Sequence, residues 1–239
     1  MEQNKLGSLF LIPCPIIDDG INQIPMATLD RIKSIKFFIA EHAKTCRRYL
    51  KSVHPEIQFD EIEIFELNKR TEDYELSEMI QVCLNGNDIG LISDAGCPGV
   101  ADPGAVIVDL AHQKKITVEP LVGPSSILLA LMASGMNGQG FQFHGYLSPK
   151  RPLLSKDLKK LERLAKESKH TQIFIETPYR NLQVFEEACK HLQKNTKLCI
   201  ACDIGYANAF IKTKSIAQWK KTAKPDLHKR PAVFLIGNS

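Results

Sequence analysis

A fold of two α/β domains is the prediction for this chain, and three observations carry it. Apolar strand-like runs alternate with amphipathic helix-like runs from end to end, the pattern that layers helices on a sheet. With 239 residues the chain can bury two separate cores. Charge and composition also change together near Val122-Gly123-Pro124. Residues 1–123 hold 12 Lys+Arg against 19 Asp+Glu, a net of −7, whereas residues 124–239 hold 19 against 8, a net of +11. The predicted division is therefore 1–121 and 122–239, the second part basic.

In the first half, "SLFLIP" reads as a buried strand and "TLDRIKSI" as a short helix. "KFFIAEH" and helical "AKTCRRYLKSV" follow. "IEIFEL" is a strand, and "YELSEMIQVCLN" is a helix with Leu76, Met79, Ile80 and Cys83 at helical spacing. "DIGLISD" is a strand running into a glycine-rich loop. Asp102 as N-cap and Pro103 as first helical residue then start "PGAVIVDLAHQKK", and "ITVEPL" closes the half. In the second half, "PSSILLALMASG" is a helix stopped by Gly135. Strand "FQFHGYL", helix "SKDLKKLERLAKES" and strand "TQIFIET" come next. Thr177-Pro178 opens a helix whose Leu182, Phe185, Cys189 and Leu192 share a face, and "KLCIACDIG", "AFIKTK" and "PAVFLIG" end the chain as strands.

Composition excludes several classes. The chain is 44% hydrophobic and 24% charged, ordinary for a soluble globular protein. No window approaches the roughly 18 apolar residues of a membrane span, and the N-terminus lacks the charge and apolar core of a signal peptide. Seven cysteines, an odd number, suggest reduced thiols and a cytoplasmic location. Cys199 and Cys202 form a CxxC, but no second pair accompanies it, and on a strand the two face opposite ways. Buried thiols are the expectation, with no metal. The basic runs Lys150–His170 and Lys212–Arg230 are either solvated helix faces or a surface for an anionic partner.

Ligands of open α/β sheets bind beyond the carboxyl ends of strands. Three loops fall there: Pro13-Cys14-Pro15, "SDAGCPGVADPG" from Ser93, and "VGPSS" from Val122. Glycine-rich turns let backbone amides approach a ligand, and helix N-termini add partial positive charge. No G-x-G-x-x-G follows the first strand, and no G-x-x-x-x-G-K-[ST] occurs. Asp94 either accepts from a ligand ribose or amino group or caps its own turn. Ser125 and Ser126 are either helix N-caps or ligand contacts.

"SDAGCPGVADPG", "VEPLVGPSSILLALMASG", "FQFHGYLSPKR" and "IFIETPYR", in this order and spacing, resemble the tetrapyrrole methylase superfamily. Those are class III methyltransferases that use S-adenosylmethionine. The chain is most similar to the branch of bacterial small-subunit ribosomal RNA cytidine 2′-O-methyltransferases, from about Leu9 to Ile236. The resemblance implies a homodimer of two α/β domains with a ligand cleft between them. It implies donor contacts at Asp94, Ala95, Gly96 and Cys97, at Ser125 and Ser126, around Glu176 and Thr177, and at Pro231 and Ala232; Pro15 joins them from the first loop.

Three stretches depart from the branch. Pro15-Ile16-Ile17-Asp18 lacks its Gly-Asn, Glu41-His42-Ala43-Lys44 replaces an acidic-threonine-arginine run, and Cys202-Asp203-Ile204-Gly205-Tyr206 replaces an Arg-Glu-Leu-Thr-Lys stretch. The chain ends soon after its last strand, which predicts that a C-terminal RNA-binding extension is absent. A hydroxyl acceptor needs its proton removed, by a positioned base or by water, and Glu41, His42 and Asp203 are the candidate bases because they follow strands on the ligand side. Each has a plainer reading: Glu41 pairs with Lys44, His42 caps a helix, Asp203 is a solvated strand end. Glu176 orients the donor or Arg180, or makes an ordinary i, i+4 ion pair. An anionic acceptor, RNA or a ribosomal subunit, is the expected partner. The alternatives are a tetrapyrrole or other small-molecule acceptor, or a binding module without acceptor chemistry.

Overall fold

Ser8–Ile12 (β1), Phe37–Ala40 (β2), Glu63–Glu66 (β3), Ile89–Ile92 (β4) and Thr117–Pro120 (β5) pair side by side in the order β3-β2-β4-β1-β5. Every pairing is parallel. The structure, a computed structural model, describes residues 5–238. The central strands read as continuous apolar runs because both faces are covered. Phe10, Ile12, Phe38, Ala40 and Ile92 pack on one face with α1 (Met26–Lys33) and α2 (Ala43–Val53). Leu9, Ile39, Ile89 and Leu91 pack on the other with α3 (Asp73–Leu84) and α4 (Ala105–Gln113). Leu76 lies against this cluster, and Met79, Ile80 and Cys83 belong to it, as the helical spacing predicts. A capping box between Glu72 and Glu75 starts α3.

The chain divides into two compact units between Ser125 and Ser126. The second unit opens with α5 (Ser126–Ser134), which ends where Gly135 takes φ +68°. Its sheet has the order β6-β7-β10-β8-β9. The strands are Phe141–Tyr146 (β6), Thr171–Glu176 (β7), Lys197–Cys202 (β8), Phe210–Ser215 (β9) and Ala232–Gly237 (β10). Only β6 and β7 run parallel; the other neighbours are antiparallel. α5 packs on one face against Ile173, Cys199, Ala201, Val233 and Leu235. On the other face α6 (Arg151–Ser168), α7 (Asn181–His191) and α8 (Ile216–Trp219) surround Phe174 and Phe234, whose stacked rings lie 5.3 Å apart. Cys199 and Cys202 therefore enter different clusters, and all seven cysteines are free.

Several helix starts differ from expectation, among them those of α4, α7 and α6. α4 begins at Ala105 because the Asp102 carboxylate is spent inside the preceding loop, where it accepts from the N–H groups of Gly99 and Gly104, both at 2.8 Å. α7 begins at Asn181, since Thr177 closes a separate turn by accepting from Arg180 N at 2.9 Å. α6 begins earlier, at Arg151, with Pro152 in its first turn. The long α6 buries Leu154, Leu158, Leu161 and Ala165, so its lysine run is a solvated face. Part of the second basic run serves the fold: Lys214 Nζ sits 4.9 Å from the Trp219 ring centroid and Lys212 Nζ 5.6 Å from that of Phe210. Among the described residues, no helix is long and apolar enough to cross a membrane.

Candidate active site

In the first unit, parallel pairing brings the residues after β1, β2, β4 and β5 to one edge of the sheet. The glycine-rich loop is stitched there to the exit of β1. Cys14 N donates to Gly96 O at 2.9 Å, and Gly96 N donates back to Cys14 O at 3.0 Å. Gly96 has φ +71°, a left-handed backbone that glycine adopts without steric cost. The Cys97 thiol donates to Pro124 O at 3.5 Å, and the Ser93 hydroxyl to Ala95 O at 2.8 Å. A Cβ on Gly123 would lie 2.3 Å from Pro13 Cγ, so glycine lets the loops after β5 and β1 touch.

Helices brace this edge from one face. The buried Tyr49 hydroxyl of α2 donates to Pro13 O at 2.9 Å, and the Thr28 hydroxyl of α1 donates to Val122 O at 2.9 Å. Pro15, Ala95, Gly96, Cys97 and Ser125 are thus held on loops that the rest of the unit positions. Sequence reasoning missed Tyr49 and Thr28, whose partners are backbone atoms 36 and 94 residues away.

His42 and Asp94 meet on this edge. His42 Nδ1 lies 2.8 Å from Asp94 Oδ2, with the side chains 68% and 43% exposed. His42 stands at the N-cap position of α2, but its side chain does not cap; it turns to Asp94. The hydrogen bond to Asp94, then that group's charge, raises the His42 pKa above its ordinary 6.5. Burial raises the pKa of Glu41, and the carboxylates of Asp94 and Asp102 raise it further. Among the described residues no salt bridge joins Glu41 to Lys44. No group of three or more His, Cys, Asp or Glu there is placed to hold a metal ion.

In the second unit, Ala232 pairs with both Glu176 and Cys202, so Glu176, Thr177, Pro231, Ala232 and Asp203 share one edge of that sheet. Glu176, its side chain 2% exposed, accepts from Arg180 Nη2 and from Thr177 N. Asp203 is buried rather than a solvated strand end. Its Oδ2 accepts from Arg230 Nε at 2.7 Å, and Asp203 N donates to Pro231 O at 2.9 Å. Arg230 also donates to the carbonyls of Asp226 and Asn208, while Asn181 Nδ2 donates to Arg230 O. Arg230 and Asn181 escaped sequence reasoning because neither lies in a motif. Ser126, the first residue of α5, belongs to this unit.

The first unit is thus a doubly wound parallel α/β sheet with its edge loops fastened to one another, followed by a second, mixed α/β unit. The chain matches the family model "Tetrapyrrole (Corrin/Porphyrin) Methylases" over residues 19–219, and it belongs to that family. It is 29% identical over 236 residues to the ribosomal RNA small subunit methyltransferase I of Buchnera aphidicola subsp. Schizaphis graminum, covering 98% of this chain and 79% of that protein. It is 33% identical over 178 residues to the Bacillus subtilis protein of the same name, covering 74% of this chain and 57% of that one. The crystal structure of the methyltransferase CobJ shares the fold, with a TM-score of 0.64 at 14% identity over 98% of this chain and 95% of that one.

Proposed function

We propose that this member of the tetrapyrrole methylase family transfers a methyl group from S-adenosylmethionine to a ribose 2′-hydroxyl of small-subunit ribosomal RNA. The relatives that cover most of the chain are named as methyltransferases of small-subunit ribosomal RNA. The observation that carries the mechanism is the pairing of His42 with Asp94 beside the fastened loop.

The residues fit such a donor. Asp94 Oδ1 has no hydrogen-bond partner among the described residues, so it remains an acceptor for a ribose hydroxyl or an amino group. The N–H groups of Ala95 and Cys97 likewise donate to no described residue. When bound, S-adenosylmethionine supplies a methyl group on a sulfonium, whose displacement leaves a neutral thioether. The fastened loops align the reactants and exclude water. Because a carboxylate only accepts, His42 Nδ1 carries the shared proton and Nε2 presents a lone pair. Nε2 would take the proton of the acceptor hydroxyl, and Asp94 Oδ2 would stabilise the imidazolium so formed. Asp203 holds the turn before β10 through Arg230, and we assign it no proton transfer. We further propose that the chain works in the cytoplasm as a homodimer.

Calorimetry with S-adenosylmethionine tests the donor half of this reading. Asp94→Ala is expected to weaken binding by more than about tenfold, the scale of one charge-assisted hydrogen bond. Unchanged affinity in a folded variant would remove Asp94 from the donor contacts and leave it only its role beside His42. The acceptor half is tested by salt: binding of ribosomal RNA should weaken steeply with ionic strength, because lysines and arginines release phosphate counterions. A flat response would point to a small neutral acceptor.

A further inference from the structure

We infer that Tyr179 and His228 form a platform on which an unpaired RNA base stacks. The inference rests on RNA being the acceptor and names where the second unit grips it. Tyr179 lies in the turn between β7 and α7 and is 71% exposed. His228, also exposed, lies in the turn before β10. Their ring centroids are 6.5 Å apart at an interplanar angle of 76°. An edge-on pair consumes one ring edge and one ring face, so both rings keep a face for another π-system. Neither residue belongs to a core cluster of the unit, so this exposed aromatic surface is not part of its core.

The two turns are fastened to each other. Lys229 N donates to Pro178 O at 3.1 Å, and Asn181 Nδ2 donates to Arg230 O at 2.6 Å. Lys229 takes φ +59°, a conformation uncommon outside glycine, and these bonds hold the backbone on either side of it. The aromatic pair is thereby held in place before binding, which lowers the ordering cost of recognition. Charge selects the partner. The exposed Lys229 adjoins the platform, in a half of the chain that carries 19 Lys+Arg against 8 Asp+Glu. Aromatic faces beside cations suit single-stranded RNA, whose bases are free to splay onto a ring; in a duplex those faces are already stacked.

The test is fluorescence anisotropy with a labelled single-stranded oligoadenylate, on the intact chain and on Tyr179→Ala, Tyr179→Phe and His228→Ala. Tyr179→Ala should raise Kd about tenfold. Tyr179→Phe should bind as the parent does, because the stacking face is kept. For both Tyr179 variants the salt slope should not change, since no cation is lost. Replacing one nucleotide of the probe with an abasic one should weaken the parent and leave Tyr179→Ala nearly unaffected. Equal affinity of Tyr179→Ala and parent overturns the platform and leaves the RNA reading intact. A parent chain that binds the methyl donor but no oligoadenylate overturns both.

Discussion

Replacing His42 with glutamine is expected to slow methyl transfer by about 10²- to 10⁴-fold, the usual contribution of a positioned general base. Affinity for S-adenosylmethionine should be unchanged, because the proposed donor contacts lie on Asp94 and the loop after it. The pH profile carries the more specific expectation. In the proposed mechanism neutral imidazole is the active form, so the rate should rise with pH through the pKa of His42. The hydrogen bond to Asp94 and its charge place that midpoint above 6.5. Asp94→Asn removes the charge and should move the midpoint down, whereas His42→Gln should abolish this limb altogether. The same pair has a thermodynamic signature. The folded pKa exceeds the unfolded one, so any stability it contributes is complete below the unfolded pKa and fades as pH rises through the folded value. A His42→Gln enzyme with the parent's rate and pH profile would remove His42 from the chemistry.

Glu176→Ala is expected to destabilise the second unit by about 3 kcal/mol, the lower end for breaking a buried ion pair. Glu176 is nearly inaccessible and Arg180 is 26% exposed, so the orphaned guanidinium regains only part of its hydration. Arg180 Nε already lacks a partner among the described residues, and its Nη2 would keep only the carbonyl of Ser148, at 3.2 Å. The loss also frees Thr177 N, which loosens the turn leading to Asn181. Trp219, the chain's single tryptophan, is buried in this unit, so its emission during urea denaturation reports the second unit alone. Glu176→Gln keeps the acceptor without the charge and should cost less. A loss under about 1 kcal/mol for Glu176→Ala would mean that the pair behaves as an exposed one.

Much of the fold is legible in the chain because both cores are built from local periodicity. Leu182, Phe185, Cys189 and Leu192 recur at helical spacing and all meet the same cluster in the second unit. The alternating fates of Cys199 and Cys202 follow from strand geometry alone. Helix starts were harder to read. Asp102 has the chemistry of an N-cap, yet its carboxylate satisfies the loop before the helix. An isolated sequence does not say which of two nearby sets of N–H groups an aspartate will serve.

The sequence by itself determined the alternation of elements, the change of charge near Val122, and the residue types at the strand ends. The glycine-rich loop could be singled out because its glycines and prolines form a dense local motif. Only the tertiary structure decided which strand ends meet. β2 lies beside β4 with Ala40 opposite Ile92, so the residues two positions beyond each strand, His42 and Asp94, come together although 52 positions separate them. Asp203 finds Arg230 for the same reason, since β8 and β10 are neighbours with Cys202 opposite Ala232. Hydrophobic periodicity states which face of a strand is buried, but strand order and register are set by packing over the whole sheet, and the pairing of charges at the sheet's edge follows from them.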